Sequence, residues 1–586
     1  MNRRTARLIA TALALGGLTV TAACNSSAPG TDKSSSGVGA PRQAAPQSVQ
    51  LGSAAESSGA DPAVPGAKSG GTVTVLQRTD FSHLDPARVY SSGNQTADLL
   101  LTRQLTSYQQ IGGTTRLVGD LATDTGTAGD GGRTWTFHLK DGIAWQDGTP
   151  ITAQDVKYGI ERTFQSELTG GPTYLQTWIT GKSEFNQVYG GPWGGKELSA
   201  IETPDARTVV IHLAQPHADL PFAMAMQAYS PVSKAHDTRK SYDQNPFSSG
   251  PYQIRSHDIG KSMTLVRNTH WNPDSDPTRH AYPDQWSFSF GGQSLDIDQR
   301  LIAANGSDRT AMTFNVAVTA DVAQQVVGTP AVAARTVNQV SPFTEFFSIN
   351  NRRVTDPEVR QALLLAFPRQ QVRTILGGPL YGDLTNTYMS AVTNGYQKYD
   401  LFHATPGGDP EAAKKLLAEA GNPHPTIVFA YSNTAVWQQA AVAVADGLSK
   451  AGFNVVKHEV SDQDYYDETG AVDNKFDVYW AGWGPDWPSA DTMIPPVFDG
   501  RIINPGGGNT MLYDNGPVNA EIDRITAETD LAQQDKDWAA LEQKIMKDVP
   551  IIPFVDKRQV SVYGPGLGGV HLGFIGTVYP LDVYVK

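Results

Sequence analysis

Cysteine is almost missing from this chain: Cys24 is the only one among 586 residues. The body beyond it can hold no disulfide, no thiolate metal cluster and no cysteine nucleophile, so its stability must come from core size. Long hydrophobic runs are missing too. Nothing after Cys24 approaches the roughly 20 apolar residues of a transmembrane helix. Basic residues are outnumbered 46 to 59, a net charge of -13 that argues against a nucleic-acid or anionic-membrane binder. The 12 histidines are dispersed, with no His-x-x-x-His pairing, and the expectation is no metal and no cofactor. Asp274 and Asp276 have calcium-loop spacing but lack the completing Gly and Glu, and read as a solvated turn. Gly190 to Lys196 has phosphate-loop spacing, yet Glu197 stands where Ser or Thr would hold magnesium. No Gly-x-Ser-x-Gly elbow occurs, so no enzyme chemistry has support.

What is present begins with a leader. Arg3, Arg4 and Arg7 precede an apolar stretch, Leu8 to Val20, then Ala22-Ala23-Cys24. The pattern is a secretory signal, residues 1–23, and it resembles a bacterial lipoprotein signal in which Cys24 carries the lipid. Thr21 departs from that pattern, where Leu is commonest. Residues 24–69, rich in Ser, Gly, Ala and Pro, read as a flexible linker.

Folded sequence is expected from Gly70. Thr72 to Leu76 reads as a strand, and strict alternation places Trp135, Phe137 and Leu139 on one buried face. Thr152 and Asp155 form a capping box ahead of Val156, Ile160 and Phe164. Asp356-Pro357 and Asp409-Pro410 open two further helices, the first burying Val359, Leu363 and Phe367, the second ending at Gly421. Thr426 to Ala430 returns as a strand. At 63.0 kDa, with strands and helices mixed throughout, the chain is a multidomain α/β protein.

One segment carries chemistry. Trp480-Ala481-Gly482-Trp483-Gly484-Pro485-Asp486-Trp487-Pro488 follows a strand and sets one carboxylate between two tryptophans. A carboxylate beside aromatic walls anchors an ammonium group; the same residues could equally be core and turn cap.

This segment is similar to the Gly-Trp-x-x-Asp stretch of the family 5 extracellular solute-binding proteins. The likeness extends through Leu117 to Ala122, Trp135 to Leu139, Ile143 to Val156, Ser249 to Tyr252, Asp356 to Ala362, Asp409 to Ala413 and Val549 to Pro553. The resemblance implies a two-lobed, periplasmic-binding-protein-like fold (type II, cluster C) with a hinge and a ligand cleft between the lobes. The first lobe would span 70–335, with an extra subdomain near 105–200, the second 336–504, and 505–586 would return to the first. It implies a monomer, lipid-anchored on the extracytoplasmic face of the cell membrane, that delivers peptides or other small solutes to an ABC permease and ATPase. Asp486 would receive the ligand ammonium, with Trp483 and Trp487 as walls and Tyr431 and Asn433 nearby. No arginine stands at Tyr431-Ser432-Asn433, where dipeptide-binding relatives hold the ligand carboxylate. The same fold binding a sugar or metal chelate, or sensing occupancy without transport, is the alternative.

Overall fold

The computed structural model describes residues 49–586 except 112 and 113; the leader and Cys24 lie outside the described residues. The alternating strand appears as Thr134–His138, with Trp135 and Phe137 buried, and it lies second in a four-stranded antiparallel sheet of Thr127–Gly129, Thr134–His138, Thr208–His212 and Ile201–Asp205. Helix Ala153–Arg162 packs its Val156 and Ile160 beneath that sheet, and Phe164 joins the same core. The Asp155 carboxylate accepts the backbone N–H of Thr152 at 2.8 Å and its hydroxyl at 2.8 Å, satisfying the helix entry as the sequence predicted. Asp155→Ala should therefore lower stability by about 1 kcal/mol, measurable by denaturant unfolding.

Beside this subdomain, Thr72–Leu76 lies in a five-stranded sheet, parallel to Gln285–Ser289 and to Ala311–Met312. Its Val73 and Val75 pack with Trp286 and Phe288, and with Leu567, Leu581 and Val583 from the chain's end. Together these form the first lobe.

The second lobe is built on a six-stranded sheet ordered Gly382–Leu384, Ile551–Val562, Thr336–Ile349, Val478–Trp483, Thr426–Ser432, Asn454–Val460. The capped helices Pro357–Ala366 and Pro410–Glu419 cover it, with Asp356 and Asp409 accepting first-turn amides and Leu363, Phe367 and Leu417 buried. Pro368 halts the first helix, and Arg369 starts the next with its guanidinium buried on the carbonyls of Thr385 and Ala404.

Two strands cross between lobes. Thr336–Ile349 and Ile551–Val562 pair antiparallel; Val562 packs with the first lobe's Leu76 and Leu301, and at the other end Phe347 and Ile552 sit in the second lobe's core. The register slips between Val340 and Thr344, around Pro342, which cannot donate to the ladder.

Two boundaries and one local reading differ from the sequence reading. The chain joins the fold at Val49, not Gly70. Gln50–Leu51 runs parallel to Arg116 and Leu117, Ser57 accepts the Gly119 N–H at 2.9 Å, and Val49 exchanges two 3.0 Å bonds with the Asn394 side chain. This docking uses backbone and short polar groups, so a polar composition still packs. The return to the first lobe comes near Tyr563, not 505: helices Gly516–Thr526 and Leu531–Met546 bury Ile522, Trp538 and Ile545 against Phe346 and Tyr388 of the second lobe. Asp276 is not in a solvated turn. It is fully buried, 3.3 Å from Arg103 and from Arg279, which also hold Asp120; burial of the charge is outweighed by those two guanidiniums, and its pKa is lowered.

Candidate functional site: the interlobe cleft

The loop after strand Val478–Trp483 leaves the second lobe and reaches the first. Its Pro485, Asp486 and Trp487 lie where the lobes meet. A cavity of about 760 Å³ opens there, walled by Tyr90, Asn94 and Gln95 from the first lobe and by Phe343, Trp480 and Trp483 from the second. That volume is in the range of small-ligand sites and equals roughly 25 waters at liquid density.

Asp486 is half-buried in the cavity wall. The Tyr90 hydroxyl donates to its Oδ2 at 2.9 Å, and the Tyr174 hydroxyl donates to the same oxygen. Among the described residues no hydrogen bond reaches Oδ1, which is not fully buried. A small apolar chamber lined by Leu99, Met226 and Phe574 backs the carboxylate. Burial raises its pKa to about 6, while the two tyrosine hydroxyls pull the other way.

Trp483 lines the cavity, its Nε1 donating to the Thr492 carbonyl at 2.8 Å. Trp487 does not. It is wholly buried in the first lobe's subdomain core, with its ring centroid 4.7 Å from that of Tyr174 and 5.8 Å from that of Trp178, and its Nε1 donates to Asp219 Oδ2 at 2.7 Å. Its role in the structure is to join the lobes. Tyr431 and Asn433 are also away from the cavity: the strand order inserts Val478–Trp483 between theirs and the crossing strands. Tyr431 stacks on Phe429, and Asn433 Oδ1 accepts the Asp462 N–H at 3.0 Å.

Sequence reasoning missed the opposite wall. Glu345 on the crossing strand receives the Tyr381 hydroxyl at 2.5 Å and Trp480 Nε1 at 3.2 Å, and it pairs with Lys557 at 2.9 Å. The Lys557 ammonium also sits 3.3 Å from the Tyr381 ring centroid. On the first lobe's rim, Arg88 and His83 both hold Asp243, at 2.6 and 2.8 Å. Arg88 and Lys557 line the cavity with their charges already paired. Only the placement of Glu345 and Lys557 on paired strands could have flagged them, and that pairing is not written in either segment.

Two lobes joined by crossing strands, with a part-polar cavity between them, define a cleft-binding protein. The middle region of the bacterial extracellular solute-binding proteins, family 5, matches residues 116–505, and the chain belongs to that family. It is 23% identical over 504 residues to the probable D,D-dipeptide-binding periplasmic protein DdpA of Escherichia coli (strain K12), covering 83% of this chain and 88% of that one. It is 25% identical over 473 residues to the periplasmic oligopeptide-binding protein OppA of Salmonella typhimurium (strain LT2), covering 78% and 81%. Among solved structures, the clavulanic acid biosynthesis oligopeptide binding protein 2 matches with a TM-score of 0.82 at 28% identity, over 90% of this chain and 99% of that one. The unliganded open form of the periplasmic murein tripeptide binding protein MppA shares the fold, with a TM-score of 0.69 at 21% identity, over 90% and 99%. The chain is thus an extracellular solute-binding protein with a two-lobed α/β fold, and not an enzyme. Among the described residues no helix is long and apolar enough to cross a membrane.

Proposed function

We propose that this protein captures short peptides by their free α-ammonium group and presents them to an ABC permease, held at the membrane surface by a lipid on Cys24. The observation that carries the reading is the half-shielded Asp486: two tyrosines occupy Oδ2, leaving Oδ1 for a donor within the cavity. Trp483 and Phe343 offer apolar and cation-π contact beside it. The relatives named for dipeptides and oligopeptides support peptides as the ligand class. The pairing of Arg88 and Lys557 with carboxylates disfavours a fixed site for the ligand carboxylate, so chain length is the looser requirement. Native mass spectrometry of the gently purified full chain tests the reading: a set of short peptides with free amino termini should dissociate from it. A sugar or a metal chelate in their place would refute it.

The raised pKa gives a pH signature. An ammonium group binds the ionised carboxylate, so below about pH 6 a proton must leave Asp486 for the ligand to bind. Affinity should fall toward tenfold per pH unit below that value, and fall again above about pH 8 as the peptide α-amino group loses its charge. Calorimetric titrations from pH 5 to 9 should trace a maximum between the two limits; a flat profile would remove Asp486 from the role.

A further inference from the structure

Away from the cleft, three segments remote in the chain converge in the first lobe. Asp61 comes from the docked arm, His280 from the turn ahead of strand Gln285–Ser289, and Asp582 from the C-terminal tail. His280 Nδ1 lies 3.0 Å from Asp582 Oδ1 and 3.6 Å from Asp61 Oδ2. One ligand atom of each residue lies within 4.8 Å of the other two. Zinc bonds of about 2.0–2.2 Å in tetrahedral array set neighbouring donors about 3.4 Å apart, between the two distances observed.

The His280 ring stacks on Tyr282 and turns its Nδ1 toward both carboxylates. A cation on Nδ1 would leave the ring proton on Nε2, which is buried without a protein acceptor. The second oxygen of Asp582 is held by His571 Nε2 at 2.8 Å, an outer partner that fixes the carboxylate's direction.

We propose that Asp61, His280 and Asp582 form a divalent-cation site of zinc-like preference, which fastens the N-terminal arm to the first lobe. One imidazole and two carboxylates are a donor set suited to zinc, and the slight exposure of all three side chains, 7 to 14%, gives water access to a fourth position. The site is independent of the ligand bound in the cleft.

The test uses the full chain, stripped with chelator and titrated with zinc chloride, with bound metal measured by plasma mass spectrometry. About one equivalent should bind, and Asp61→Asn and His280→Asn should each weaken it about 10-fold or more. Zinc should also slow limited proteolysis of the arm in the unaltered chain, a readout that needs no variant to fold. Failure to bind near one equivalent, undiminished binding in both variants, or an arm cleaved at the same rate with and without zinc would overturn the proposal.

Discussion

Asp486→Asn should weaken binding of a short peptide with a free amino terminus by about 10²- to 10³-fold, because a partly desolvated ammonium would lose its counter-charge. The substitution keeps the side chain's shape, and the Tyr90 hydroxyl can still donate to an amide oxygen. The peptide's amino group supplies the control. N-acetylation removes the same interaction from the ligand side, so the acetylated peptide should bind the natural and substituted proteins with similar, weak affinity. Calorimetry on the four combinations isolates the pairwise term. If acetylated and free peptides lose affinity equally on substitution, Asp486 acts on the shape of the cavity and not on the ammonium.

Trp487→Ala should have an effect of similar size by another route. Emptying a fully buried tryptophan site costs about 3 to 5 kcal/mol. Here the ring belongs to the second lobe's loop and its surroundings to the first lobe, so the loss falls on the contact between lobes. It also strips Asp219 of its indole partner, although Asp219 Oδ1 is already buried without a hydrogen bond. The ligand-free protein should scatter X-rays with a larger radius of gyration, and peptide affinity should drop by about 10²-fold or more. Trp483→Ala, at the cavity surface, should weaken binding with no change in scattering. An unaltered scattering profile for Trp487→Ala would show that the lobes are held together by other contacts.

Much of this architecture was legible locally. The Asp-Pro helix starts and the alternation of Trp135 and Phe137 depend on neighbours within a few residues, and each formed where the pattern placed it, whereas the strand expected to end before Trp480 runs on to Trp483. The place of Asp486 in the loop that reaches the cavity wall was legible for the same reason. Its meaning for Trp487 was not, because a tryptophan beside a glycine-rich turn reads alike whether it walls a cavity or plugs a neighbouring core. The docked arm escaped notice since its partners are backbone amides and the Asn394 amide, which leave no hydrophobic period. Glu345 and Lys557 meet through the register of two strands, and Asp61, His280 and Asp582 through the assembly of three segments; spacing along the chain carries neither.

The docking of the arm also sets a ruler. If the lipid is carried on Cys24, the chain from there to Gly70 could reach at most about 160 Å from the bilayer at roughly 3.5 Å per residue. With the chain fixed at Val49, where it meets Asn394, the same bound falls to about 90 Å. A protein so anchored would be confined to a layer little more than half as deep, and in that thinner layer each encounter with a permease in the same membrane would become correspondingly more frequent.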